Sequence, residues 1–432
     1  MIGALLFVIF VALMLAGVPI GISLGVGAAA AIALANLETA HFGLLAVPQN
    51  FYASLTKYPL LALPMFVLVG SIFDRSGVAQ RLVNLAIAIV GRGPGMLPVV
   101  AISVAMFLGG ISGSGPANAA AVGGVMIAAM ARAGYPPAFS GSVIGAAAST
   151  DILIPPSIAL IVYSILTPGA SVPALFAAGM VPGVLVGLAL MIPAVWLSRR
   201  HGFGALESKE PRPPLLLSLR EASWGLAAPV LILGGMRLGW FTPTEAAAVA
   251  VAYGLFVGMA VHRTIRLKDL GPIFRESAEL SAVILMIIGL ASIFAYALST
   301  LSIIDPIAKA ILASGIHELT ALACIIVLLL IVGMFLDGVS IFLIFVPLLT
   351  PFIRAFGWDP VWFGIVMTMM VAVGQFTPPL AVNLMVSCKM ARVSIEQTFQ
   401  WIWWFVVAML LAVGAVLAIP DLALWLPRWL GY

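Results

Sequence analysis

The sequence predicts an all-α polytopic membrane protein, with about ten transmembrane helices plus two re-entrant helical hairpins in an inverted repeat. Three observations lead there. Hydrophobic residues make up 63% of the 432, charged residues only 8%, and the mean hydropathy is +1.20. That is more apolar sequence than a soluble core requires, and uncharged runs of about 20 residues recur from end to end. Phe107-Leu108-Gly109-Gly110-Ile111-Ser112 returns 228 positions later as Phe335-Leu336-Asp337-Gly338-Val339-Ser340. A Pro pair then breaks an apolar run after each copy: Pro155-Pro156 begins 48 residues after Phe107, and Pro378-Pro379 begins 43 after Phe335. Lipid tolerates such breaks only where the freed backbone groups line a cavity or meet a partner. A duplicated pair of interrupted segments therefore marks a transport site at a repeat interface.

Runs at about 2–16, 18–36, 60–74, 138–165, 172–198, 222–238, 243–262, 278–298, 361–390 and 398–419 read as the spanning helices. The first two stay separate at Gly17-Val18-Pro19, because about 35 residues at 1.5 Å each would overrun a hydrocarbon core of about 30 Å. The first run lacks a positive n-region and a small-residue cleavage site, so a retained span is expected. Stretches 96–130 and 318–354 are apolar but interrupted centrally by Gly, Ser and Pro, which fits a helix in, a turn and a helix out. Partly amphipathic segments precede them, Ser76–Gly91 and Ser302–Gly315 with Asp305-Pro306, and read as interfacial arms. The expected organisation is scaffold helices at 1–75, an arm at 76–95, and the first hairpin and broken helix at 96–170. Scaffold helices and cytoplasmic loops follow at 171–298, a second arm at 299–317, the second hairpin and broken helix at 318–392, and a C-terminal scaffold helix at 393–432.

Basic residues orient these spans. Arg199, Arg200, Lys209, Arg212 and Arg220 mark one cytoplasmic loop, and Arg263, Arg266, Lys268 and Arg275 another. Tracing outward adds Arg75, Arg81, Arg92, Arg132, Lys389 and Arg392 to that side, and leaves Lys57, Arg237, Lys309, Arg354 and Arg428 on the other. The first hairpin then enters from the cytoplasm and the second from outside, which inverts the repeat. The net charge of +4 reflects this loop bias and does not point to nucleic acid.

The chemistry concentrates at the breaks. In Gly109-Gly110-Ile111-Ser112-Gly113-Ser114-Gly115-Pro116, four glycines let the backbone turn carbonyls or amides toward one point. Ser112 and Ser114 add hydroxyl oxygens, and Asn118 adds an amide. Neutral oxygen ligands suit a hard monovalent cation such as Na⁺ better than calcium or a transition metal. Close packing of helices through small residues is the alternative reading of the same glycines. Asp151, in Ser149-Thr150-Asp151-Ile152-Leu153-Ile154-Pro155-Pro156-Ser157, is a carboxylate within a span. It reads as an ion ligand or proton carrier, or as a structural acid that caps the second half-helix or bonds to Ser/Thr. The matching segment offers Gln375, Thr377 and Asn383 without an acid, and the second hairpin carries Asp337 instead. Half-helix N-termini at such breaks favour an anionic substrate group while carbonyl ends favour a cation.

Elsewhere Thr242-Pro243-Thr244-Glu245 reads as a capping box. Cys324 and Cys388 read as inert buried thiols in apolar runs. His41, His201, His262 and His317 are too scattered for a metal site. No phosphate loop, nucleophile elbow or HExxH occurs, so ATP hydrolysis and proteolysis by those chemistries have no support. Trp401, Trp403, Trp404, Trp425 and Trp429 read as an interfacial belt or as a surface for a companion subunit.

At these residues the chain resembles the large membrane subunit (M subunit, DctM-like) of tripartite ATP-independent periplasmic (TRAP) transporters over essentially its whole length. The motifs that carry the resemblance are Leu61–Phe66, Gly109–Pro116, Ile154–Ser157, Trp224–Pro229, Phe241–Ala248, Phe335–Pro347 and Gly374–Pro379. The resemblance implies an elevator-type fold like that of the ion-transporter superfamily, in the bacterial inner membrane. It implies uptake of an organic acid driven by Na⁺, with two or more coupling ions. It also implies a periplasmic substrate-binding protein and a small membrane subunit of about four helices, expected as a separate polypeptide because this chain starts at the large subunit's first span. Carried over by motif, the Na⁺-ligand candidates are Ser112 and Ser114, then Ser149, Ile154 and Pro155, then Gly338, Val339 and Ser340, and finally Gly374 and Thr377. Asn118, Asp151, Asp337, Gln375 and Asn383 are candidates for the substrate or ion pathway.

A channel would need a continuous polar pore, and the polar residues here gather at two central breaks. An intramembrane lipid-processing enzyme would need paired acids or a nucleophile with its base near one face. A stand-alone Na⁺-coupled dicarboxylate or anion elevator shares the repeat plan and is the nearest alternative.

Overall fold

In the computed structural model, residues 2–303 and 315–432 are described apart from 39–42 and 208–210, together with 306, 309 and 313. Most of the second arm, with Asp305, lies outside the described residues, as do Lys209 and His41. The described chain forms helices and no β-strand.

One group of helices carries the N-terminal and central spans. These are α1 (Ile2–Leu15), α2 (Ile20–Glu38), α3 (Ala46–Leu55), α4 (Ala62–Arg75) and the arm α5 (Val78–Val90). The chain turns between α1 and α2 at Gly17, with φ of 84°, and Pro19, which cannot donate to the preceding turn. The hairpin limbs α6 (Met96–Ser112) and α7 (Gly115–Arg132) follow, then the first broken helix as α8 (Pro137–Ala148) and α9 (Ile158–Leu166). Next come α10 (Val172–Arg200), α11 (Leu215–Arg237), α12 (Pro243–Phe256) and α13 (Leu267–Thr300). The second hairpin is α14 (Glu318–Gly333) and α15 (Gly338–Phe356), and the second broken helix is α16 (Pro360–Gly374) and α17 (Val382–Ala391). The chain closes with α18 (Phe399–Ala418) and α19 (Asp421–Leu430).

Among the described residues, eight helices are long and apolar enough to cross a bilayer, and one of these is α15, a hairpin limb. The other seven match expected spans. The remaining expected spans are the 14-residue α1 and the two broken helices, each built from two short halves. The capping box forms as read: Glu245 N–H donates to Thr242 Oγ1 and Thr242 N–H donates to Glu245 Oε2. The helices α3 and α19 were not expected from the sequence.

Lipid removes the hydrophobic drive between helices, so small residues that admit a neighbour decide the packing. A Cβ at Gly25 of α2 would lie 2.5 Å from Leu290 Cδ2 of α13, and one at Gly289 would lie 2.4 Å from the Phe51 ring of α3. Helix α13 thus gathers α2, α3 and α4, while α12 packs on α4 and α11 packs on α5 and α12. A second group contains both hairpins and both broken helices. Within it α6 packs on α8, as α14 packs on α16; α7 packs on α17, as α15 packs on α9. Each returning hairpin limb thus lies on the second half of the other repeat's broken helix, so the inverted repeats interlock.

Three sequence expectations need correction. The two matched hexapeptides are not structural equivalents, because Ser112 ends the first limb whereas Ser340 sits in the first turn of the returning limb. The N-caps of the returning limbs, Ser114 and Asp337, are 223 positions apart, as are Pro155 and Pro378. The repeat is therefore in register at 223, and the 228-residue identity is a chance likeness shifted by five. The second correction concerns α10 and α18, grouped by sequence with the scaffold. Helix α10 packs on α6, α16 and α18, and α18 packs on α8 and α16, all in the hairpin-bearing group. Apolar composition cannot separate helices that face lipid with one body from those of another. The third concerns Cys324, which is exposed on α14 while Cys388 is buried. In a bilayer protein an apolar run marks lipid contact as readily as a core.

Polar contacts join elements that the charge pattern places on one side. Arg75 at the end of α4 pairs with Glu276 near the start of α13 at 2.5 Å. Arg212 donates to the Ala88 and Ile89 carbonyls at the end of the arm. Tyr135 OH accepts from Gly95 N–H at 2.8 Å and donates to Glu207 Oε2 at 2.8 Å, which draws the base of the first hairpin to the loop after α10.

Candidate ion and substrate site

The first hairpin closes on the first broken helix through glycine. Gly113 turns the tip with φ of 59° and Ser114 is extended, so α7 restarts at Gly115-Pro116. A Cβ at Gly109 would fall 2.6 Å from Asp151 Cα, one at Gly110 3.1 Å from the Pro155 carbonyl oxygen, and one at Gly113 3.0 Å from the Pro156 carbonyl oxygen. Those carbonyls belong to a bent, non-helical segment whose Pro residues remove the donors that would continue a helix. Two carbonyl oxygens therefore face the glycines of the tip. Ser112 Oγ is buried there without a hydrogen-bond partner among the described residues. Asn118 donates from Nδ2 to the Ala105 carbonyl at 2.9 Å, which ties the two limbs together and leaves its Oδ1 unpartnered among the described residues.

Asp151 is fully buried, and neither carboxylate oxygen has a partner among the described residues. It does not cap α9. Ser157 does so, accepting from Leu160 N–H at 3.4 Å while donating to the Ile152 carbonyl at 2.6 Å. The capping alternative for Asp151 is thereby removed, and the capping role falls on the other acid. Asp337 accepts from Ser340 N–H at 3.2 Å and from the Ser340 hydroxyl, and so caps α15.

At the second break, Gly374 meets Gly333 at the end of α14: a Cβ at 374 would lie 2.4 Å from Gly333 Cα and 2.5 Å from its carbonyl oxygen. A Cβ at Gly338 would lie 3.4 Å from Gln375 Nε2. Gln375 bridges the gap left by Pro378-Pro379. Its carbonyl accepts from Asn383 N–H and its Oε1 from Asn383 Nδ2, each at 3.0 Å. Asn383 also abuts the first tip, because a Cβ at Gly115 would fall 2.5 Å from Asn383 Oδ1. The two repeats therefore touch at a polar point, between the tip of one and the break of the other. Both Pro-Pro peptides are cis.

Several hydroxyls hold their protons inward. Thr377 Oγ1 donates to the Val373 carbonyl at 2.6 Å, and Ser340 Oγ donates to Asp337. A hydroxyl that donates to the protein keeps oxygen lone pairs for a cation. Ser149 Oγ donates to the Ala146 carbonyl at 2.7 Å and lies 3.8 Å from Met409 Sδ, so its side chain meets α18. Ser114, Ile154 and Val339 are half-buried near the breaks, and Ile154 Cγ2 touches the Gly110 position.

Sequence reading missed three positions: Gly333, the Pro156 carbonyl, and Gly70 of α4, where a Cβ would lie 3.2 Å from Ser112 Cα. Gly333 carried a usable signal, since it lies 223 positions after Gly110, in the register of the repeat.

A family model described as "Tripartite ATP-independent periplasmic transporter, DctM component" matches residues 7–422. The chain is 37% identical over 392 residues to the isethionate TRAP transporter permease protein DctMQ of Oleidesulfovibrio alaskensis, covering 91% of this chain and 61% of that protein. It is 39% identical over 377 residues to the C4-dicarboxylate TRAP transporter large permease protein DctM of Pseudomonas aeruginosa, covering 87% of each. It is 32% identical over 421 residues to the sialic acid TRAP transporter large permease protein SiaM of Vibrio cholerae, covering 97% of each. The solved Alcanivorax borkumensis YdaH transporter, described as having an unusual topology, shares the fold with TM-score 0.62 at 14% identity, over 92% of this chain and 90% of that one. The chain belongs to the DctM component family of TRAP transporters, and it is a multi-pass inner-membrane transport subunit rather than an enzyme.

Proposed function

We propose that this chain is the permease through which a TRAP transporter couples inward movement of Na⁺ to uptake of a small organic acid. The observation that carries this reading is the closure of each glycine-bearing hairpin tip on a Pro-broken helix. At the first tip, the Pro155 and Pro156 carbonyls, Ser112 Oγ and the Asp151 carboxylate collect in a buried zone with unspent oxygen lone pairs. Such a set fits a monovalent hard cation as cargo. Thr377 and the Gly333 carbonyl offer a counterpart at the second break. The named relatives transport C4-dicarboxylates, sialic acid and isethionate, all organic anions. The same chemical class is the substrate proposed here.

In this reading α6–α10 and α14–α18 move together as the transport body, while α1–α5 and α11–α13 stay fixed. Small residues line part of the boundary, as where Gly70 of α4 meets Ser112. An open apolar groove of about 550 Å³ runs between Phe107 and Gly110 of the first hairpin and Leu226 and Pro229 of α11, with Phe107 and Val230 exposed in its walls. A loosely filled boundary of this kind resists sliding less than interdigitated packing does. A periplasmic binding protein delivers the acid, and a small membrane subunit completes the fixed body.

Reconstitution tests the reading. The chain alone in liposomes, given a Na⁺ gradient and free organic acid, is expected to take up little or nothing. Adding the small subunit and the loaded binding protein is expected to restore uptake. Full uptake by the isolated chain would replace this reading with the stand-alone carrier.

A further inference from the structure

Two cations, Lys57 and Arg354, stand at one end of the molecule without a carboxylate partner among the described residues. Lys57 lies in the wall of a cavity of about 380 Å³ between α3, α9, α13 and α15, with Asn50 and Ser54 beside it. Arg354 lies in the wall of an adjoining cavity of about 550 Å³ between α13 and α15, with Thr350 one turn away. The two cavities share Ala295 and Ser299 of α13 in their walls, so they adjoin along that helix as the two parts of a vestibule. Its side follows from the Arg75–Glu276 pair, which fixes the end of α4 and the start of α13 at the basic, cytoplasmic side. Lys57 precedes α4 and Ser299 ends α13, so the vestibule opens on the opposite, periplasmic side.

We propose that this vestibule is the receiving site for the acidic group of the transported anion, held between Lys57 and Arg354. The site rests on the proposed function as an organic-acid permease and adds the place and the residues of first contact. Its walls come from α3 and α13 of the proposed fixed body and from α9 and α15 of the proposed moving body. Lys57 Nζ donates to the Ile165 carbonyl at 3.3 Å, a bond between the two bodies at the end of α9. An anion entering here competes for Lys57 and loosens that bond, so arrival of cargo and release of the moving body meet at one side chain. Cations in a low-dielectric cleft concentrate anions and exclude cations.

The test uses the full chain in phosphatidylcholine vesicles, with Cys324 and Cys388 replaced by Ala and Ser299→Cys as reporter. Its labelling is followed with an anionic sulfonatoethyl and a cationic trimethylammonioethyl methanethiosulfonate. The anionic reagent is expected to react about tenfold faster, relative to an exposed reference cysteine at Leu37. Lys57→Gln with Arg354→Gln is expected to abolish that preference while the thermal melting temperature holds. Succinate, and not neutral succinamide, is expected to protect Ser299→Cys, and phosphatidylglycerol in the vesicles is expected to leave this protection in place. Equal rates for the two reagents, or a preference that survives the double substitution, would overturn the site. Protection by phosphatidylglycerol instead of succinate would overturn it too and assign the pocket to lipid. Labelling requires no transport, so failure of the uptake reading leaves this result legible on its own.

Discussion

Gly109 of the first hairpin packs directly on the backbone of Asp151 in the broken helix, so closely that a Cβ at position 109 would stand 2.6 Å from Asp151 Cα and 2.8 Å from its Cβ. The buried acid, free of partners among the described residues, and the hairpin tip therefore share one boundary without room for a methyl group. The hairpin's fit against the acid depends on the absence of a side chain at 109.

Gly109→Ala is accordingly expected to destabilise the protein by about 1–3 kcal/mol, the usual range for overpacking where the neighbour is backbone. Gly414→Ala on α18, which meets nothing within 4 Å, serves as the control and is expected to change little. Thermal unfolding in one detergent compares them, and equal melting temperatures would contradict the close approach.

Gln375→Ala is expected to cost about 1–3 kcal/mol, because Asn383 is buried and loses the acceptor of its side-chain amide. Gln375→Glu keeps that acceptor, so it is expected to retain the join between α16 and α17 better than the Ala variant does. Unfolding measurements on the three proteins rank them.

Ser112→Ala and Thr377→Ala each remove one oxygen from a different break. If each loss weakens ion binding by about 1.4 kcal/mol, the Na⁺ concentration giving half-maximal uptake rises about tenfold per site. Uptake by the double variant in proteoliposomes checks this, and an unchanged Na⁺ requirement would remove both side chains from the ion sites.

Burial pushes the Glu207 carboxyl above its ordinary value of 4.5, despite Tyr135 donating to it and Arg92 nearby. The folded state therefore holds a proton more readily than the unfolded chain. The resulting penalty is absent below the ordinary value and grows as pH rises through the folded one. The melting temperature of the native protein is expected to fall as pH rises above the ordinary carboxyl value of 4.5, and that of Glu207→Gln to fall less. Parallel pH profiles would exclude Glu207 as the source.

Much of this was legible in the sequence because bilayers impose blunt rules. Pro pairs and Gly-Ser runs at membrane depth had to face protein or a cavity, and Gly109, Gly110, Pro155 and Gly374 do. Charge placed Arg75 on the side where it meets Glu276. What stayed hidden depended on which face of a helix meets protein. Cys324 and α10 sit in apolar runs that read alike whether they contact lipid or another helix. The repeat register was misread because four matching letters in six outweighed the spacing of cap to Pro pair, which places Ser114 opposite Asp337. Asp151 and Asp337 were indistinguishable as letters, and only geometry shows that Asp337 caps α15 while Asp151 has no partner among the described residues.

The most direct test is the ion dependence of uptake by the reconstituted permease with its small subunit and loaded binding protein. An inward Na⁺ gradient is expected to drive accumulation of the organic acid. Its replacement by K⁺ at equal ionic strength, with or without a proton gradient, is expected to abolish accumulation. Undiminished accumulation in K⁺ would contradict Na⁺ as cargo at the two breaks.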